Sequence, residues 1–186
     1  KARLPKGSVD LFESKAQNLT AIDDNSIDVV LCHWALTLMN PITPVLNEIR
    51  RVLSSGGKFA ALVNGPMDAA PGYNDVYKLI YKYVQAKLPR YGEIDLGDPR
   101  IRSTKSLEHL VGEAFPSADV SIENNVVSLV GPVAEVSETA AGFFYASFIL
   151  SPELRKTMLS DLSKLLLVSK QEGRFVMPIS RLIVKK

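Results

Sequence analysis

The chain has 186 residues, of which 46% are hydrophobic, and this suits one folded domain with its own core. Its 22 basic and 20 acidic residues give a net charge of +2 and are scattered along the chain, which argues against a nucleic-acid-binding protein. The longest apolar stretches, 29–39 and 140–150, are shorter than the roughly 20 residues of a membrane span. The single cysteine, Cys32, allows no intrachain disulfide and favours a cytoplasmic location.

The first third of the chain predicts a strand–helix–strand unit. Residues 9–12 indicate a short strand, and residues 27–32 indicate a second strand that is buried on both faces, because apolar residues run on without alternation. Apolar residues then recur at helical spacing over 42–53. We expect Gly56 and Gly57 to end this helix in a left-handed conformation. Residues 58–63 predict the next strand, parallel to 27–32 through a right-handed crossover.

The rest of the chain predicts four more helices and two more strands. The helices are expected at 75–88, 104–115, 137–150 and 152–170, with a loop at 89–102. The strands are expected at 120–130 and 175–184. Pro178 indicates that the last strand lies near an edge or a bulge at that point, because proline cannot donate to a sheet ladder.

The region 27–63 resembles the class I S-adenosylmethionine-dependent methyltransferases, in particular the type 11-like domains. In that family a strand "FDvV" and a helix end "RvLkpGG" recur, and here the matching residues are Ile-Asp-Val-Val from Ile27 and Arg-Val-Leu-Ser-Ser-Gly-Gly from Arg51. The resemblance implies an α/β Rossmann-like sheet with parallel strands, an antiparallel C-terminal strand and a helical cap. It implies one domain over 1–186, with cap insertions at 66–102 and 137–170.

The resemblance also implies part of a cofactor site at residues 13–19. This segment takes the place of the family loop "gDAenL", where an acidic side chain accepts from the adenine amino group and the next backbone N–H binds a ring nitrogen. Here Lys15 stands at the acidic position and Ala16 follows it. An ammonium group has no acceptor, so Lys15 departs from the pattern, whereas the backbone contact of Ala16 is independent of its side chain. An ordinary surface loop is the alternative interpretation.

The second implied patch is Cys32, His33 and Trp34, which follow the central strand. In open α/β sheets, ligands bind beyond the carboxyl ends of the strands, and in the family this region faces the methionine half of S-adenosylmethionine. His33 is the candidate catalytic residue, because a neutral imidazole can accept a substrate proton. Core packing is favoured over nucleophilic chemistry for Cys32. The two histidines, His33 and His109, have no metal-ligand spacing, so we expect no metal site.

The glycine loop that holds the cofactor in this family has no counterpart here, since only Gly7 precedes Gly56. We expect the chain to begin after that first unit, as the retained part of a longer enzyme in preference to a truncated gene product. The chain alone is then expected to hold the cofactor weakly. Missing strands would also expose a sheet edge, which favours pairing with a second copy as a homodimer.

The leading functional hypothesis is S-adenosylmethionine-dependent methyl transfer to a small-molecule acceptor, within a longer parent chain. One alternative is a non-catalytic methyltransferase-like module that acts through protein contacts, which the Lys15 departure and the absent glycine loop suggest. Another is a different nucleotide-binding α/β enzyme, such as a dehydrogenase, although its dinucleotide fingerprint is equally absent. Neither nucleic acid nor a membrane is expected as a partner.

Overall fold

The structure is a computed structural model that describes residues 9–89 and 97–186. The helices of this part are α1 (Ile42–Val52), α2 (Tyr73–Lys87), α3 (Thr104–Ala114), α4 (Val133–Gly142) and α5 (Pro152–Leu166). The strands are β1 (Ile27–His33), β2 (Leu53–Asn64), β3 (Asp119–Pro132), β4 (Leu167–Ser169) and β5 (Glu172–Lys185). Short 3-10 helices lie at Leu36–Leu38, Met67–Ala69, Pro99–Arg102 and Tyr145–Ile149.

The five strands form one sheet in the order β1-β2-β5-β3, with β4 paired to β5. β1 and β2 are parallel and are joined by α1, whereas β5 runs antiparallel to β2, β3 and β4. The predicted α/β Rossmann-like sheet, with its antiparallel C-terminal strand, is therefore confirmed.

Two clusters of buried side chains hold the molecule together. The first lies between the sheet and helices α1 and α3, and includes Leu46, Phe59 and Leu110. The second packs α2, α4 and α5 around the first half of β5, and includes Ile80 and Phe175. The second cluster contains much of the sequence assigned to the cap, but the division into one domain with insertions at 66–102 and 137–170 stays a prediction.

The predicted strand at 9–12 is wrong. These residues have no regular secondary structure, and the Leu11 side chain is 93% exposed. A strand is stable only when its backbone groups are paired, and within the described residues β1 pairs with β2 alone.

The predicted helix end at Gly56 and Gly57 is also wrong. Helix α1 ends at Val52, and β2 already begins at the next residue, so the glycine pair lies inside the strand. Ile27 of β1 pairs with Leu53, and Val29 pairs with Lys58. The residues of β2 between these two pairs outnumber those of β1, so this segment is a bulge. Gly56 has φ +76°, a conformation that disfavours any residue with a Cβ atom.

Other boundaries shift by smaller amounts. The predicted helix 137–150 is instead α4, which starts at Val133, followed by the 3-10 helix Tyr145–Ile149. The predicted helix 152–170 ends at Leu166 and gives way to β4. Part of the predicted loop 89–102, residues 90–96, lies outside the described residues. Pro178 lies one residue beyond the last pair between β5 and β2.

Candidate functional site

Trp34 joins the carboxyl ends of the two parallel strands. Its backbone N–H donates to the Leu62 carbonyl at 2.9 Å, and its indole Nε1 donates to Asn64 Oδ1 at 2.6 Å. Its φ is +56°, which is strained for a bulky residue and persists only where surrounding contacts hold it. The sequence placed Trp34 at this edge but contained no signal for its backbone conformation or for Asn64 as its partner.

His33 ends β1 with an exposed side chain. Its ring packs edge-on against the Trp34 indole, with 4.7 Å between centroids. Over residues 9–89 and 97–186, no side chain donates to the imidazole or accepts from it. The ring is therefore accessible at the strand end, but nothing in this part of the chain orients it as a base.

Cys32 is half-buried and packs against the first core cluster. Burial raises the pKa of its thiol, and this outweighs the backbone hydrogen bonds from Leu36 and Ala35, which lower it. The thiol is consequently protonated near neutral pH and is a poor nucleophile. This supports the packing interpretation of Cys32.

The candidate adenine loop is a tight turn. The Asn18 N–H donates to the Lys15 carbonyl at 2.8 Å, which places Ala16 in the turn. The Lys15 side chain is exposed, whereas Ala16 is half-buried against the first core cluster, as Cys32 is. The Ala16 N–H donates to no group within the described residues, so it is available to a ligand.

The contacts that hold this loop were not predicted from the sequence. The Arg51 guanidinium donates to the carbonyls of Leu19 and Ile22, both at 2.9 Å, and to Glu48. Glu48 in turn accepts from the Leu19 N–H at 2.8 Å. The hydrogen bond from Arg51 and the one from Leu19 lower the pKa of Glu48. The three-residue spacing of Glu48 and Arg51 was visible in the sequence, but backbone carbonyl partners have no sequence signature.

A row of aromatic rings connects the strand end to the second cluster. Trp34 lies 6.1 Å from Phe143, Phe143 lies 6.2 Å from Phe175, and Phe175 lies 6.1 Å from Tyr73, measured between centroids. Burial, with a smaller contribution from Tyr77, raises the pKa of Tyr73 to about 12. The Tyr73 phenol is therefore neutral at physiological pH, as expected for core packing.

These residues fit S-adenosylmethionine only in part. Ala16, at the position that the resemblance assigns to adenine, has an N–H without a partner in the described residues, and Cys32 and His33 stand at the strand end that would face methionine. Lys15 cannot accept from the adenine amino group. The two segments flank the same core cluster, but no hydrogen bond joins them within the described ranges.

Comparison with known proteins bears on the family and the fold of this chain. Residues 1–61 match the family model described as a methyltransferase domain. Among solved structures, a protein assigned as a methyltransferase from Bacillus halodurans C-125 has a TM-score of 0.53 at 15% identity, covering 94% of this chain and 70% of its own. The fold and the family match together confirm the resemblance to class I S-adenosylmethionine-dependent methyltransferases, and they indicate S-adenosylmethionine as the cofactor of this class.

Two further proteins are similar to the chain. The mitochondrial 2-methoxy-6-polyprenyl-1,4-benzoquinol methylase of Schizosaccharomyces pombe is 34% identical over 114 residues, which are 60% of this chain and 34% of that protein. A structure assigned to a methyltransferase from an antibiotic biosynthesis pathway of Anabaena variabilis has a TM-score of 0.56 at 14% identity, covering 98% of this chain and 75% of its own. The chain thus spans about a third of the curated relative.

No helix in the described part of the chain is long and apolar enough to cross a bilayer.

Proposed function

We propose that this chain forms the C-terminal portion of an S-adenosylmethionine-dependent methyltransferase that acts on a small-molecule acceptor, within a longer parent chain. The observation that carries the proposal is that Ala16 and Cys32, one from each of the two segments that resemble the family, pack against the same first core cluster. The methyltransferase match over residues 1–61 covers both segments.

When bound, the cofactor would supply an electrophilic methyl group on a sulfonium, which an acceptor atom attacks as the carbon–sulfur bond breaks. Ala16 would donate its N–H to an adenine ring nitrogen. His33, whose ring is accessible at the strand end, would take the proton of an acceptor that carries one. Trp34 would hold the strand ends of β1 and β2 in a fixed relation, so that cofactor and acceptor meet in one geometry.

The acceptor that we propose is partly apolar. Phe143 contacts Trp34 and is 47% exposed, and Tyr145 and Phe148 nearby in sequence are 65% and 62% exposed. Exposed aromatic groups of this kind favour an apolar or aromatic ligand over a highly charged one. The similar yeast protein is a methylase of a polyprenyl benzoquinol, which agrees with this acceptor class.

The second candidate function is a non-catalytic module with a methyltransferase scaffold. The observation in its favour is Lys15, which replaces an acceptor by a donor at the adenine position, together with the lack of an orienting partner for His33 in the described part of the chain. The module would act through protein contacts and would bind no cofactor. For both candidate functions, the cytoplasmic location of this chain stays a prediction. The yeast relative is mitochondrial.

Calorimetric titration with S-adenosylmethionine separates the two functions. We expect saturable binding by a longer parent chain, in which the variants are compared, and weak binding by the 186-residue chain alone. Ala16→Pro removes the proposed donor and should weaken binding by about 1–3 kcal/mol, whereas the matched control Ala16→Gly keeps the N–H and should bind as the unmodified protein does. Lys15→Asp should strengthen binding by restoring an acceptor.

The opposite results would reject the proposal in different ways. If Ala16→Pro folds normally and binds as tightly as the unmodified protein, the cofactor half-site is misplaced. If neither the 186-residue chain nor a longer parent chain binds S-adenosylmethionine saturably, the non-catalytic module is favoured.

A further inference from the structure

A groove opens beside the first half of β5, away from the carboxyl edge of β1 and β2. It has a volume of about 440 Å³, within the usual range of small-molecule sites. Its walls come from the start of α2, the end of α5, and strands β3, β4 and β5, and they include Val76, Val126, Leu165, Val168, Arg174 and Phe175.

The groove is apolar except for one cation. Of its eleven lining residues, Arg174 alone carries a polar side chain. Val126, Leu165 and Val168 are 50%, 42% and 56% exposed, so these apolar groups lie open to solvent around it. Exposed apolar side chains gathered around a concave site are typical of a binding surface.

Arg174 has no partner to neutralise it. Its guanidinium makes neither a hydrogen bond nor an ion pair with any residue of the described ranges, although the other arginine of β5, Arg181, is paired with Glu123 at 2.6 Å. The acidic residue closest to it in the strand, Glu172, does not line the groove. The five donors of a guanidinium are therefore available to an acidic group that enters with an apolar body.

Arg174 lies away from the candidate cofactor edge, whereas Phe175 of the same groove belongs to the aromatic row that starts at Trp34. Asn64, the last residue of β2, pairs with Ile179 of β5. Arg174 lies five residues further along β5, which corresponds to roughly 17 Å of strand. A ligand at Arg174 would thus not occupy the place of S-adenosylmethionine.

We propose that this groove binds a hydrocarbon carboxylate, with the chain against Val126, Leu165 and Val168 and the carboxylate on Arg174. The apolar lining selects the hydrocarbon, and the single unpaired cation selects a single negative charge. The site does not depend on methyl transfer, and it can be tested without S-adenosylmethionine.

The probe is decanoate, titrated into the 186-residue chain below its micellar concentration, with decyltrimethylammonium as the probe of opposite charge. We expect saturable decanoate binding, with amide chemical-shift changes centred on Val168 and Phe175, and binding of the cation at least about tenfold weaker. Arg174→Gln should weaken decanoate binding about tenfold or more, and Arg174→Lys should recover part of it. Arg181→Gln is the matched control on the same strand and should leave binding unchanged.

A second variant tests the groove independently of Arg174. Val168→Asp places a negative charge on the exposed groove wall and should abolish decanoate binding while circular dichroism shows an unchanged fold. The proposal is overturned if Arg174→Gln binds decanoate as the unmodified protein does, if the cation binds equally well, or if the shift changes fall outside the groove.

Discussion

Asp98 is a buried carboxylate that joins two distant segments. It is 5% exposed, accepts from the Arg100 backbone N–H at 3.0 Å and pairs with the Arg100 guanidinium at 2.7 Å. Its own N–H donates to the Met39 carbonyl at 3.0 Å, just before α1. Arg100 foremost, and the backbone N–H of Ile42 in addition, lower the pKa of Asp98 to about 2. Asp98 thus caps the 3-10 helix Pro99–Arg102, and its backbone N–H ties that helix to the segment just before α1.

This contact predicts a pH dependence of stability. Because the pKa of Asp98 is lower in the folded state than the unfolded value of about 3.9, its contribution is present above that value and is lost as pH falls towards 2. Solvent reaches the half-exposed Arg100 and screens the ion pair, so we expect Asp98→Asn to lower the free energy of unfolding by about 1–2 kcal/mol at pH 6.

Urea unfolding of both proteins between pH 2 and pH 6 tests this prediction. The difference between them should shrink as the pH falls. The control Asp68→Asn, at an exposed acid, should leave the stability unchanged at every pH. Parallel curves for Asp98→Asn and the unmodified protein would show that Asp98 is not the titrating group.

The indole hydrogen bond of Trp34 predicts an energetic coupling to Asn64. Trp34→Phe keeps the aromatic packing but removes the donor, and Asn64→Ala removes the acceptor at 2.6 Å. A double-mutant cycle in urea should give a coupling of about 0.5–1.5 kcal/mol. Additive effects of the two substitutions would show that the strand ends of β1 and β2 are not joined in this way.

At the scale of elements, the glycine bulge at the start of β2 has two requirements. Gly56 needs its positive φ, and a Cβ on Gly57 would lie 2.9 Å from the Ser54 carbonyl oxygen and 3.2 Å from that of Asp28. We therefore expect Gly56→Ala to cost about 1–2 kcal/mol and Gly57→Val to cost more, because backbone atoms must move.

The matched control for these variants is Gly112 in α3, where a Cβ would meet nothing within 4 Å. Gly112→Ala should stabilise the protein by about 0.5–1 kcal/mol, because glycine is a poor helix former. Thermal unfolding of the three variants ranks their stabilities. If Gly57→Val is as stable as Gly112→Ala, the bulge is not formed as described.

The elements that the sequence predicted well share a local cause. The apolar run of β1 and the helical spacing of α1 depend only on neighbouring residues, so their positions were predictable. The roles of Gly56, Arg51 and Asp98 were not, since each acts on backbone groups that are distant in sequence. The same holds for the functional residues. The family resemblance identified His33 and Ala16 from the sequence, whereas the groove around the unpaired Arg174 is formed only when five elements pack together.

At the scale of the whole molecule, β1 is an open edge of the sheet within the described residues. Val29 and Leu31 on this strand are 53% and 77% exposed. Exposed apolar edge strands favour pairing with another chain. We expect the 186-residue chain to self-associate with increasing concentration, and Leu31→Lys to reduce this.

Sedimentation velocity over a hundredfold range of concentration measures the association. Leu38→Lys serves as the control, because Leu38 is 49% exposed but lies outside β1. A chain that stays monomeric throughout, or an equal effect of both lysine substitutions, would exclude the β1 edge as the contact.

The place of β5 between β2 and β3 has a consequence for synthesis of the protein. This strand is the last element in the chain, yet it lies inside the sheet and pairs over its whole length with β3. β3 lacks this neighbour while residues 133–171 are made, and β2 lacks it for the longer interval in which residues 65–171 are made, so their backbone groups can bind other partners. At 5–20 residues per second this interval lasts for about 5–20 s, so nascent chains would depend on chaperones until the final strand emerges.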